Sequence, residues 1–184
     1  MHGSSSVVSR NLPLLPPMGR RAIRDAIRAL NLASRSATPE LPFRYLPDIA
    51  LADIAFEAES DSLEGLFESS AEALTDIMVD PKTLRSGSRA TATKKLSITS
   101  DDLDTLLYDF LTEIIIVKDV ESLLFSCVKV DLASDHRSLN ATLKGEPIDR
   151  QRQTLRNDVK AVTMHLFGVK KEAGLWKATV VLDI

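Results

Sequence analysis

The order of its hydrophobic periodicities constrains the fold of this chain more than any single motif does. Two segments carry apolar residues at helical spacing: Leu63, Leu66, Phe67, Leu74, Ile77 and Met78, then Leu103, Leu106, Leu107, Phe110, Leu111, Ile114 and Ile115. After Val120 no helical stripe recurs. Residues 124–132, 139–143, 159–169 and 175–182 are strand-type runs, and the tight connection 170–174 (KKEAG) predicts a hairpin between the last two. Upstream, residues 43–60 alternate in two pieces. Ile49 and Leu51 lie on one parity and Ile54, Phe56 and Ala58 on the other, which predicts a bend or bulge around Asp53. Residues 92–98 alternate weakly, as an exposed or edge strand does. The order β, β, α, β, α and then four strands lacks the regular alternation of a doubly wound sheet. It predicts an α+β fold with two helices packed on a mainly antiparallel sheet.

Local signals set the boundaries. Asp61 or Ser62 caps the first helix and Pro81 ends it; Thr99 and Asp102 have capping-box spacing at the start of the second. Residues 82–90 and 145–157 are polar loops, and a loop as long as the second is usually functional or mobile.

At 184 residues and 44% hydrophobic content the chain supports one ordinary core. Charge divides it. Residues 1–40 hold six Arg against Asp25 and Glu40, so the remainder carries 17 basic and 24 acidic residues. This predicts a flexible basic extension over 1–40 and an acidic body over 41–184, whose net charge favours cations over phosphates as ligands. Within the extension Pro13, Pro16 and Pro17 forbid a regular element, and from Met18 onward Ile23, Ala26, Ile27 and Leu30 oppose Arg20, Arg21, Arg24 and Arg28. Such a segment suits weak contacts to RNA phosphates, a partner or an import receptor; a frayed tail, or residues upstream of the natural start, is the alternative.

Several function classes are excluded. The glycines never approach the spacing of a phosphate-binding loop or a dinucleotide fingerprint, and no G-x-S-x-G elbow occurs. Cys127 is the lone cysteine, placed mid-strand as an inert buried thiol, so neither an internal disulfide nor a cysteine-based zinc site can form. His2, His136 and His165 lack ligand spacing; among Met164, Leu166 and Phe167, His165 reads as a satisfied core or a sheet-surface residue. The longest clean apolar run, 114–117, cannot span a bilayer. A soluble protein of the reducing cytoplasm is the simplest reading.

One group of residues does carry chemistry. Asp53 interrupts an apolar strand, where a carboxylate is costly unless paired or metal-bound. At the other end, Asp183 and the α-carboxylate of Ile184 are adjacent anions that repel unless a cation intervenes. A hard divalent cation, Ca²⁺ or Mg²⁺, accepts carboxylate oxygens from several segments. A solvated chain end is the alternative.

These residues, with five separated runs, resemble the archease family over 43–184. The runs are 102–111 (DLDTLLYDFL), 123–126 (LLFS), 145–147 (GEP), 158–163 (DVKAVT) with His165, and 181–184 (VLDI). The resemblance implies a small α+β protein that is not itself an enzyme. It implies a cofactor of an RtcB-type RNA ligase in tRNA splicing and RNA repair, promoting the ligase's guanylylation and repeated turnover. An alternative it implies is a chaperone-like modulator of a tRNA cytosine methyltransferase. It further implies a divalent metal site, with Ca²⁺ the expected ion, on Asp53, Asp183 and the Ile184 carboxylate, and a lysine, Lys160, near the metal or at the ligase contact. Association with RNA would be indirect. The chain departs from the family's His-Thr-Ala-Asp motif, with Ala50 and Leu51 in place of His-Thr and Ala55 in place of the Gly after Asp-Ile, which removes a polar group beside the site. A metal-dependent hydrolase using Lys160 or His165 would need a general base, and no motif supplies one.

Overall fold

The computed structural model describes residues 42–46 and 53–184. Expectations for residues 1–40, for Ile49 and Leu51, for the bend before Asp53 and for Ala50-Leu51 lie outside the described residues.

The predicted order is the one observed. Strands β1 (Phe43–Tyr45) and β2 (Asp53–Ser60) precede α1 (Leu63–Met78); β3 (Ala92–Thr99) precedes α2 (Leu103–Glu121). Then come β4 (Leu123–Leu132), β5 (Ser138–Pro147), β6 (Ala161–Glu172) and β7 (Leu175–Asp183). They form a four-stranded sheet in the order β1-β2-β7-β6 and a three-stranded sheet in the order β3-β5-β4. Every pairing is antiparallel. β3 is an edge strand, as its weak alternation indicates, and among the described residues no helix is long and apolar enough to cross a membrane.

Each helix packs on both sheets, α1 against β2 and β4, α2 chiefly against β6 and the three-stranded sheet. The stripes read from the sequence are the buried ones: Leu66, Phe67 and Leu74 on α1, and Leu106, Leu107, Phe110 and Leu111 on α2, are fully enclosed. Phe67 and Phe110 meet between the helices with ring centroids 5.7 Å apart. Each such side chain contributes roughly 1.5–3 kcal/mol by leaving water.

Boundaries differ from expectation where a side chain found another partner. Ser62 caps α1 by accepting the Gly65 amide at 3.1 Å. Asp102 alone caps α2, accepting the Thr105 amide at 2.8 Å, because Thr99 still belongs to β3. β5 runs on through Gly145 and Glu146, so the expected loop 145–157 loses its first three residues to the sheet. The remainder is a strap tied to the end of α1. Val79 and Leu155 form an isolated β-bridge, and the amides of Arg156 and Asn157 donate to the carbonyls of Met78 and Ile77 at 2.9 and 3.1 Å.

Two backbone features reach the surface. The β6–β7 hairpin turns through Ala173 and Gly174, both at positive φ (51° and 89°), as the tightest hairpin loop requires. In β6 the register slips between Thr163 and Gly168, which exposes Met164, His165 and Leu166, the last in a left-handed conformation at φ 55°.

Candidate functional site

Asp53 opens β2 and Asp183 closes β7, and the antiparallel register sets them directly opposite. Residues so placed share a sheet face with Cβ atoms about 4.5–5.5 Å apart, a spacing at which like charges destabilise the pair. The third strand completes the corner. Ala161 of β6 pairs with Asp183 from the other side, and the Lys160 amide donates to the Asp183 carbonyl at 2.9 Å. The Lys160 ammonium donates to a main-chain oxygen of Ile184 at 3.0 Å. Asp53 is half-buried and Asp183 exposed. Among the described residues no ion pair involves either aspartate.

The structure therefore brings Asp53, Asp183, Ile184 and Lys160 to one corner, although Asp53 is separated from the others by most of the body. The donor set is all oxygen, which suits a hard divalent cation and not zinc or copper. Among the described residues no three His, Cys, Asp or Glu side chains gather with metal-holding geometry. The two aspartates alone do not complete a ligand set, and the third oxygen that the resemblance implies is at Ile184, whose main-chain oxygen accepts from Lys160. On that condition the residues fit the ion that the resemblance implies.

A cavity of about 300 Å³ adjoins Asp53, with Tyr45, Asp76, Arg156 and Asn157 in its wall. These residues form one network. The Tyr45 hydroxyl donates to Asp76 Oδ2, Arg156 Nη1 donates to Asp76 Oδ1 at 2.5 Å and to the Asp76 carbonyl at 2.7 Å, and Asn157 Nδ2 donates to the Ile77 carbonyl at 3.0 Å. Burial first, and then the neighbouring Asp76 carboxylate, push the Tyr45 hydroxyl well above its usual range, so it remains a neutral donor. Sequence reasoning missed this wall. Its one signal was the polar strap between β5 and β6, whose residues 156 and 157 supply three of the four hydrogen bonds.

A second cavity of similar size, about 310 Å³, lies between α1 and β4 and shares Asp76 with the first. Cys127 lines it beside the β4 bulge and is half-buried, not fully buried as its mid-strand position suggested. Glu72 lines it too; burial, and then the nearby Glu68, raise that carboxyl's pKa. His165 lies on the exposed β6 bulge and His136 in the β4–β5 turn, so neither joins the aspartate corner.

The described residues form an antiparallel α+β domain that sets two aspartates opposite each other on a sheet corner. Comparison with known proteins narrows the class. The chain belongs to the archease protein family, whose family model matches residues 43–184. It is 38% identical to protein archease of Methanothermobacter thermautotrophicus over 135 residues, 72% of this chain and 93% of the relative. Protein archease of Pyrococcus abyssi is 33% identical over 136 residues, again 72% and 93%. The solution structure of protein 1598 of Methanobacterium thermoautotrophicum superposes with a TM-score of 0.63 at 34% identity, covering 78% of this chain and 99% of that one. The crystal structure of an archease from Thermotoga maritima, described as a possible chaperone, shares the fold alone, with a TM-score of 0.52 at 18% identity over 73% of this chain and 93% of that one.

Proposed function

We propose that this archease is a non-enzymatic cytoplasmic cofactor of an RtcB-type RNA ligase, promoting its guanylylation and repeated turnover during tRNA splicing and RNA repair. The observation that carries the reading is the register of Asp53 on Asp183, two carboxylates facing each other on one sheet corner. Asp53, Asp183 and the Ile184 carboxylate hold a divalent cation, with Ca²⁺ favoured by an all-oxygen, partly solvated donor set. The cation neutralises the facing carboxylates and offers positive charge at the protein's surface. Lys160 steadies the Ile184 oxygen, and the hydrogen bond its backbone N–H donates to the Asp183 carbonyl keeps the corner in register. Tyr45, Arg156 and Asn157 wall the adjoining cavity with fixed donors, against which a polar segment of the ligase can seat.

The test is single-turnover guanylylation of a cognate ligase with wild-type protein, Asp53→Asn and Asp183→Asn. Acceleration by wild type and its loss in both variants is expected, alongside lost Ca²⁺ affinity by calorimetry. Wild type without effect across divalent metals refutes the reading. A methyltransferase-modulating role is the second reading, favoured by the exposed Met164 and Leu166 on β6, which offer an apolar contact for a protein partner. Co-purification with a tRNA cytosine methyltransferase and not with the ligase would select it.

A further inference from the structure

The net acidity of the body argues against phosphate ligands, but the fold distributes its charge unevenly. In the three-stranded sheet the buried Leu96, Leu143 and Val128 mark the face turned to the helices. Alternation therefore turns Thr93 and Lys95 of β3, and Asn140, Thr142 and Lys144 of β5, to the opposite face. The register pairs Thr93 with Lys144 and Lys95 with Thr142. Thr93, Lys95, Asn140 and Lys144 are exposed, and Thr142 is half-buried.

Glu146 follows Lys144 on that same face, yet it is only 2% exposed, because the segments after α1 and β5 fold over it. Its carboxylate accepts the Arg85 amide at 2.8 Å and the Arg152 guanidinium at 2.5 Å, and lies 3.6 Å from the Arg85 guanidinium. Arg152 also donates to the Thr83 carbonyl at 2.7 Å. One buried carboxylate thus fixes two arginines at the rim of a polar sheet face. Lys82, Arg89 and Arg150 are exposed on the same two segments. Residues 82–95 and 144–152 together hold eight basic residues and two acidic ones, leaving nine basic residues to balance 22 acidic ones in the rest of the body.

We propose that this sheet face and its arginine rim bind the phosphate backbone of RNA. Arginine forks held in place by Glu146 match phosphate oxygens, and the Thr93 and Thr142 hydroxyls beside the lysines, with Asn140 next along β5, can bond phosphate and ribose hydroxyl oxygens. A protein partner fits less well. Stable protein interfaces are anchored by aromatic or apolar side chains, and among the described residues the large exposed apolar ones, Tyr45, Ile116, Val120, Met164 and Leu166, lie on β1, α2 and β6. The face also presents no aromatic ring on which a base could stack, so it reads backbone and shape and not sequence. This surface is separate from the aspartate corner, and RNA binding there does not depend on ligase activation or on a metal.

The test is fluorescence anisotropy of a labelled RNA stem-loop with the full chain in chelator-containing buffer over a salt series. Three variants are compared with wild type: Lys95→Glu/Lys144→Glu, its neutral form Lys95→Gln/Lys144→Gln, and a control, Lys170→Glu/Lys171→Glu on β6. Residues 1–40 are the same in all four proteins. Wild type should bind, the Glu pair should weaken binding about tenfold or more at low salt, and the Gln pair should lower the log–log salt slope by about 1.5, as two lost phosphate contacts require. The control should stay within about twofold of wild type. The proposal is overturned if wild type does not bind, if the β6 control weakens binding as much as the face variants, or if polyglutamate displaces the RNA as well as unlabelled RNA does. That last result would assign the face to an acidic protein.

Discussion

Glu146 offers the sharpest test of how the arginine rim is held. Glu146→Gln preserves the shape of a side chain that is 2% exposed but removes its charge. It also turns an amide nitrogen toward Arg152 or toward the Arg85 N–H, each of which needs an acceptor. Hydrogen bonds to a charged group contribute about 1.5–3 kcal/mol. Arg152 is 33% exposed, so water recovers part of what it loses, and a net cost of about 2 kcal/mol is expected at neutral pH. For a domain of this size that lowers the melting temperature by about 5–8 °C. The pH dependence supplies a second readout. Burial pushes the Glu146 carboxyl up, but the hydrogen bonds from Arg152, the Arg85 amide and Gln153 outweigh it and hold the pKa below the ordinary 4.5. The unfolded chain therefore takes up this proton first as pH falls. The stability Glu146 contributes is complete above the unfolded value and is lost as pH drops through the lower folded one. The gap between wild type and variant, measured by thermal melts from pH 7 to pH 3, should thus close below about pH 4.5. Equal melting temperatures at pH 7, or a gap of constant size across that range, would refute the reasoning.

Other expectations follow from single contacts. A Cβ on Gly145 would lie 1.9 Å from the Leu124 carbonyl oxygen, on backbone that cannot yield, so Gly145→Ala should lose cooperative unfolding by circular dichroism. Ala173 holds φ 51° in the β6–β7 turn, where Asn is far better tolerated; Ala173→Asn should raise stability by about 0.5–1 kcal/mol in urea melts. Lys118 is 7% exposed and donates to Asp158 at 2.8 Å and to the Val159 carbonyl at 2.9 Å. Lys118→Met leaves that buried carbonyl unpaired and should cost about 1–3 kcal/mol, read as a lower urea midpoint at unchanged slope.

Sequence periodicity exposed the helices and the strand order because both depend on which residues avoid water. It failed where pairing depended on a single side chain. Thr99 and Asp102 have the spacing of a capping box, yet the sheet kept Thr99 and left Asp102 to cap alone. The run 159–169 reads as one strand, and nothing in it announces the β6 bulge, because its left-handed residue is Leu166 and not Gly or Asn. The aspartate corner was half legible. Asp53 and Asp183 stand out as charges in apolar strands, but their opposition is a matter of register. Tyr45, Asp76 and Arg156 come from segments 31 and 80 residues apart along the chain, and only packing joins them. The basic sheet face was hidden by averaging, since net charge says nothing about which lysines share a side.

The place of β7 in the middle of its sheet, between β2 and β6, bears on the time course of folding. β3, α2, β4 and β5 are contiguous in sequence, so their three-stranded sheet can assemble from near neighbours. β2 has no such recourse. It must hold its inner edge open until its partner strand, 116 to 130 positions downstream from pair to pair, arrives, closing a loop whose length-dependent entropy alone amounts to about 4 kcal/mol. Pulsed hydrogen exchange should then show amides of β5 protected before those of β7. Because Asp53 and Asp183 are the outermost pair of that late-formed ladder, the aspartate corner exists only once the last strand has docked. A chain that stalls on the way offers its acidic ends separately, and a ligand that needs both acts as a proofreader of completed folding.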